Sequence, residues 1–256
     1  MIEKEIRECF KNNIQFSNFK NHKFTGYLRR EFANEALMDC IENLEEYLNK
    51  SQIFKDSRTT RAGIATLQDG KSVFIKSFNN KGLIYTAKYI FRKARAFRVW
   101  YAARAMELSG APTPCPIAAL AEYKFGIPGN SYLIREVVPN IIDTLDFFKK
   151  MENNKDLQES YINSAALLLK QIHDSGIYHG DAKCSNIYIS QNDNKYTYGL
   201  WDLLSCRIFK NSVPRNYRIK ELTHTAWSFA EISNREQNRV DENNIRQLFF
   251  KAYYQE

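Results

Sequence analysis

No stretch of this chain approaches the ~18 consecutive apolar residues that a membrane-spanning helix requires. Cysteine is sparse: Cys9, Cys40, Cys115, Cys184 and Cys206 are odd in number and scattered, and only four histidines accompany them. None forms a Cys-x-x-Cys pair, so neither a zinc site nor a disulfide framework is expected. Free thiols fit a reducing compartment. Ten glycines and six prolines are too few for a collagen-like or linker-dominated chain. The first residues, Met1-Ile-Glu-Lys-Glu-Ile-Arg-Glu8, hold no apolar core of the signal-peptide kind. The expectation is a cytoplasmic protein, with a peripheral position at the inner face of the cytoplasmic membrane left open.

What is present points to a folded enzyme-sized chain. Of 256 residues, 44% are hydrophobic and 14% aromatic, which supplies a core for one large domain or two small lobes. Thirty-seven Lys and Arg against 29 Asp and Glu leave a net charge of +8. That surplus suits an anionic partner: nucleic acid, nucleotide phosphate or an acidic membrane surface.

Residues 1–50 mix charge with aromatics, and Glu31 to Leu48 reads as a helix with Phe32, Leu37, Ile41, Leu44 and Leu48 at helical spacing. From Ile53 the pattern turns to strands. Gly63–Leu67, Asp69-Gly70 and Ser72–Ile75 predict a hairpin. Residues 83–109 form a basic helical stretch in which Lys88, Arg92, Arg95, Arg98 and Arg104 alternate with aromatics such as Phe91, Phe97, Trp100 and Tyr101. It reads either as a solvated face or as a surface for anionic lipid headgroups. Gly110-Ala-Pro-Thr-Pro114 stops it. Ser131–Val138 reads as a strand and Pro139-Asn140 as a lobe boundary. An amphipathic helix over Asp156–Ser175 follows, then strands at Ile187–Ser190 and Tyr196–Trp201, and helices near 219–232 and 241–254. The fold class is α+β: a helical N-terminal extension over 1–50, a strand-rich lobe over 51–138 and a helix-rich lobe over 139–256.

The chemistry concentrates in His179-Gly-Asp-Ala-Lys-Cys-Ser-Asn186, followed by the second hairpin and Trp201-Asp202. A hairpin returns the chain to its starting edge, with paired strands ~4.8 Å apart. Asn186 at its entry and Asp202 at its exit therefore meet, with Asp181 and Lys183 just before. Amide and carboxylate oxygens suit Mg²⁺, which keeps waters and bridges phosphates. A separate carboxylate can accept a hydroxyl proton, and a lysine beside it can offset charge on a moving phosphoryl group. Upstream, Val73-Phe-Ile-Lys76 ends an apolar strand after the polar loop Ser57–Gly63, whose backbone N–H groups can cover phosphates.

The ordered series Lys76, Asp181, Asn186, Asp202 resembles the protein-kinase layout. The succession from Lys76-Ser-Phe-Asn-Asn-Lys-Gly82 through Ala94–Trp100, Gly110–Pro114 and Ser131–Glu136 narrows it further. Over about residues 53–210 the chain resembles the lipopolysaccharide core kinases of the Kdo/WaaP type. The resemblance implies a protein-kinase-like bilobal fold, with a five-stranded sheet and one long helix in the first lobe and a short helical second lobe. It implies ATP and Mg²⁺ as cofactors, and transfer of phosphate to Kdo or heptose of the lipopolysaccharide inner core. By position it makes Lys76 the nucleotide-phosphate lysine, with Gly63, Glu136 and Val138 also at the nucleotide. Asp181 becomes the base, Lys183 its phosphate-neutralising neighbour, and Asn186 and Asp202 the metal ligands.

The chain also departs from the pattern. Val99 stands where many relatives carry the glutamate that holds the strand lysine, and Leu203-Leu204-Ser205 follows the metal aspartate where a second acid is common. A small-molecule phosphotransferase of the aminoglycoside or choline kinase type therefore remains an alternative, as does a pseudokinase that binds lipopolysaccharide or a protein. Expected partners are ATP, an anionic glycolipid and the inner-membrane surface. Nucleic acid is not expected, because no stacking platform or groove-reading motif is present.

Overall fold

The computed structural model describes residues 2–80, 93–124, 127–152, 154–193, 195–235 and 240–255. The chain divides into two compact units, residues 1–104 with 114–137, and residues 105–113 with 138–256.

The first unit is built on a seven-stranded antiparallel sheet. Helix α1 (Ile2–Arg7) leads into β1 (Phe16–Lys20) and β2 (Phe24–Arg29). Then come α2 (Glu35–Glu42), α3 (Leu44–Lys50), β3 (Gln52–Ser57), β4 (Thr60–Thr66) and β5 (Ser72–Phe78). The first ten residues of helix α4 (Arg95–Leu108), β6 (Pro116–Lys124) and β7 (Ile127–Glu136) complete it, and the strand order is β1-β2-β6-β7-β5-β4-β3.

The expectation of a helical extension over 1–50 is corrected here: β1 and β2 form a hairpin whose second strand pairs with β6 across Phe24↔Glu122 to Leu28↔Ala118. The sheet accordingly has seven strands rather than five. Strand β6 was missed because Pro116-Ile-Ala-Ala-Leu-Ala is rich in the best helix former. Pairing on both sides overrides that propensity. The helix expected over 31–48 is broken into α2 and α3 at Asn43, whose side chain donates to Asp39 O and Oδ1 and so competes with the helical ladder. Leu37, Ile41, Leu44 and Leu48 still share one buried face, packed on Val73, Ile75 and Ile134 of the sheet.

Of the basic helical stretch, residues 83–92 lie outside the described residues; from Arg95 it is helical as expected. Among the described residues its aromatics Phe97, Trp100 and Tyr101 pack against the N-terminal segment rather than facing outward. Phe97 meets Tyr27 edge-on with centroids 5.0 Å apart, Trp100 meets Phe16 at 5.8 Å, and Tyr101 stacks on Phe10 at 5.9 Å. Positions i, i+3 and i+4 fall on one helix face, and that face is where the N-terminal segment lies.

The second unit opens with β8 (Ile141–Ile142), α5 (Thr144–Met151) and α6 (Lys155–Asp174). Short β9 (Ile177–Tyr178) leads to the hairpin of β10 (Ile187–Asn192) and β11 (Lys195–Leu200). Then follow β12 (Arg207–Ile208), α7 (Arg215–Arg235) and α8 (Glu242–Tyr254). Tyr161, Leu168, Leu169 and Ile172 make the buried face of α6, as their spacing predicts. Phe148, Tyr161, Tyr198 and Phe229 interlock beneath the hairpin in edge-on and tilted contacts.

Candidate active site

In the first unit Lys76 lies on β5, opposite Ala62 of β4 and Leu133 of β7. Side chains alternate along a strand, so Val73 and Ile75 enter the α2–α3 core while Phe74, Lys76 and Phe78 take the other face. The Lys76 ammonium lies 5.3 Å from the centre of the Phe78 ring. Val99, in the place of the missing glutamate, is buried in the core.

The stretch Ser57–Gly63, read as a loop, is instead the β3–β4 hairpin with a turn at Arg58-Thr59. Ser57 and Thr60 close that turn through the Ser57 hydroxyl. Arg95, at the start of α4, donates to the carbonyls of Thr59 and Asn79 and so holds the turn to the end of β5. Gly63 is accounted for by packing: a Cβ there would lie 2.2 Å from Ser51 Oγ and 2.8 Å from Gln52 O. Glu136 ends β7, and its N–H is taken by Cys115 O at 2.9 Å. Val138 begins the second unit, and among the described residues its backbone groups make no hydrogen bond.

In the second unit the loop 179–186 is held by short contacts. His179 Nδ1 accepts from Asp181 N at 3.3 Å, which leaves Nε2–H to donate to Trp201 O at 2.9 Å. His179 thus bridges the backbone beside Asp181 to the residue before Asp202, a structural role. Gly180 has φ +82°, and a Cβ there would sit 2.7 Å from Ser205 O, so glycine is required. Strands β10 and β11 pair from Ile187↔Leu200 to Asn192↔Lys195, and Trp201 N donates to Asn186 O at 3.1 Å. Asn186 therefore faces Trp201 across the hairpin, and Asp202 follows directly.

Asn186 Nδ2 donates to Asp181 O at 2.8 Å and to Asp181 Oδ2 at 3.0 Å. Two acceptors on one side fix the amide orientation, and Oδ1 is left without a donor among the described residues. Asp181 Oδ2 is thereby engaged, whereas Oδ1 has no hydrogen bond among the described residues. Lys183 Nζ stands 3.7 Å from Asp181 Oδ2, with both side chains more than a third exposed. An exposed pair of that kind contributes little to stability, so it leaves room for a chemical role. Asp202 sits in the left-handed region at φ 57° and ψ 52°.

Among the described residues no three His, Cys, Asp or Glu side chains gather to hold a metal. An amide oxygen and a carboxylate at the hairpin ends still fit magnesium, which takes few protein oxygens and completes its shell with water and phosphate.

Sequence reasoning missed Glu221 on α7, whose carboxylate accepts the N–H groups of His179 and Gly180. No local motif marks it, because it lies about forty residues beyond the loop it serves.

The order of these parts, with a lysine on a sheet strand and then the loop, hairpin and aspartate in a helical unit, is that of the protein-kinase-like fold. The chain belongs to the lipopolysaccharide kinase (Kdo/WaaP) family, whose model matches residues 46–253. Among solved structures it is similar to WaaP in complex with acyl carrier protein, at a TM-score of 0.60 and 16% identity, with 84% of this chain and 82% of that chain covered. At that identity the likeness speaks for the fold. With 1203 chains of known structure matching, architecture by itself names no acceptor. Comparison with curated proteins gives no match.

Proposed function

We propose that this protein transfers the γ-phosphoryl group of ATP to a sugar hydroxyl, that of Kdo or heptose in a lipopolysaccharide inner core. The observation that carries the reading is the Asp181 carboxylate, with one oxygen held by Asn186 and the other without a hydrogen bond among the described residues. The acceptor hydroxyl donates to Asp181 Oδ1, which orients it and takes its proton as the hydroxyl oxygen attacks the γ-phosphorus. The new bond joins that oxygen to phosphorus; the bond from phosphorus to the β-phosphate oxygen breaks, and ADP leaves.

Lys183 offsets charge on the moving group, and Lys76 binds the nucleotide phosphates. The backbone of Val138, two residues after Glu136, serves the adenine base. Gly63 enters only by letting the β3–β4 hairpin close. A magnesium ion, when bound, would neutralise phosphate charge with Asn186 Oδ1 and the Asp202 carboxylate as its protein ligands. The net charge of +8 favours encounter with an anionic glycolipid at the inner face of the cytoplasmic membrane.

Asp181→Asn keeps the size and the Asn186 contact but removes the proton acceptor. Phosphate transfer to purified core oligosaccharide, followed by mass spectrometry, should fall ~10²–10⁴-fold with ATP affinity retained. Undiminished transfer by that variant would sink the assignment.

A further inference from the structure

Of the three tryptophans, two spend their indole N–H on backbone. Trp100 is buried and donates to Cys9 O, and Trp201 donates to Ser185 O at 2.8 Å. Trp227, on α7, is 44% exposed, and its indole N–H has no hydrogen bond among the described residues. A ring that large left in water forfeits the burial that Trp100 obtains. Its placement is nevertheless fixed. The His224 imidazole lies nearly parallel to it, at 11° with centroids 5.9 Å apart. That offset stack holds the indole from one side and leaves much of the ring open to solvent.

The pair stands beside the loop that carries the proposed base. Thr225 Oγ1 donates to Ala182 O, and Cys184 N donates to Ser228 Oγ at 3.0 Å. Those two contacts flank Lys183, so the turn of α7 that carries Trp227 is bonded to the loop on both sides of that lysine. With ~3.6 residues per turn, Lys220, His224, Trp227 and Glu231 form one stripe. It adjoins the face of Glu221, Thr225 and Ser228 that meets the loop. Lys220 is exposed and has no ion pair among the described residues, whereas the Glu231 carboxylate is taken by Arg235. The stripe offers an aromatic face, an indole donor and a positive charge.

Those features match a sugar ring within an acidic glycan. One face of a pyranose presents C–H bonds, which suit the electron-rich face of an indole, and its rim presents hydroxyls to accept the indole N–H. A carboxylate or phosphate on the same glycan meets Lys220. We propose that His224 and Trp227 form a second sugar subsite, which binds an anionic oligosaccharide through the ring next to the one phosphorylated at Asp181. This rests on the reading of Asp181 as the base for a sugar hydroxyl. The subsite lies on the flank of α7 and takes no part in bond making. It selects an oligosaccharide over a single sugar or a small alcohol.

Trp227→Ala removes the platform, and Trp227→Tyr restores an aromatic face. Both should fold, because the ring is half in water. Titration calorimetry with purified core oligosaccharide, without ATP, should give a Kd ~3- to 10-fold higher for Trp227→Ala than for the unmodified protein. Trp227→Tyr should recover most of that affinity. In phosphate transfer the loss should fall on KM for the oligosaccharide, and neither on kcat nor on KM for ATP. It should shrink when the acceptor is a single sugar. The fluorescence that Trp227→Ala lacks should be shielded from acrylamide by saturating oligosaccharide. No binding, an equal Kd in Trp227→Ala, no recovery in Trp227→Tyr, or no shielding would overturn the proposal. Shielding by phosphatidylglycerol vesicles in place of the oligosaccharide would also overturn it, making the stripe a membrane contact. Calorimetry needs no turnover. A protein that binds oligosaccharide through Trp227 yet phosphorylates no core sugar would defeat the assigned reaction and leave the subsite standing.

Discussion

At Asp202 the backbone and the carboxylate make separate demands. Its left-handed conformation costs an ordinary L-residue ~1–2 kcal/mol, and Asp and Asn tolerate it best. Asp202→Asn should therefore keep the urea midpoint of the unmodified protein while phosphate transfer falls ~100-fold or more. Asp202→Val should lose the same activity and, in addition, ~1–2 kcal/mol of stability. Equal stability of the two variants in urea unfolding at constant m-value would refute this separation. Neighbouring His179 shows how far residue type alone carries a reading. Its motif position is legible, but its role as a clamp from Asp181 N to Trp201 O emerges only from the distances.

At the scale of elements, the N-terminal segment and α4 depend on one another. Trp100 is buried, donates its indole N–H to Cys9 O at 2.9 Å and meets Phe16 edge-on. Trp100→Ala removes the largest side chain at that junction and strands a buried carbonyl, so a loss of ~3–5 kcal/mol is expected in chemical denaturation. A loss under 1 kcal/mol would mean that β1 and β2 are a detachable extension after all. Helices α6, α7 and α8 and the two hairpins were legible because their period, caps and turn residues are local. Asn154 caps α6 by accepting from Leu157 N, and Asp241 caps α8 in the same manner. Strands β1, β2 and β6 were not legible, because their strand character comes from partners far along the chain.

For the whole molecule, nucleotide binding should register as stability. A ligand that binds only the folded state at a hundred times its dissociation constant adds ~2.7 kcal/mol, several degrees for a chain of this size. ATP with magnesium at millimolar concentration should raise the unfolding temperature, and Lys76→Met should abolish most of that rise. No shift in the unmodified protein would favour the non-catalytic pseudokinase alternative, for which the missing helix glutamate at Val99 is the best support.

The sequence alone determined the order of the chemistry: a strand lysine, an Asp-x-Lys-x-x-Asn loop, a hairpin, and an aspartate delivered back beside the asparagine. From the loop to the last aspartate those relations span few residues, and turn geometry with strand register is enough to settle them. Tertiary structure decided what local pattern cannot encode. It put the N-terminal hairpin into the sheet, turned the aromatics of α4 inward, and set Glu221 under the N–H groups of the loop. Each of these depends on burial against a distant partner, and a buried polar or aromatic group reveals its role only once that partner is in place.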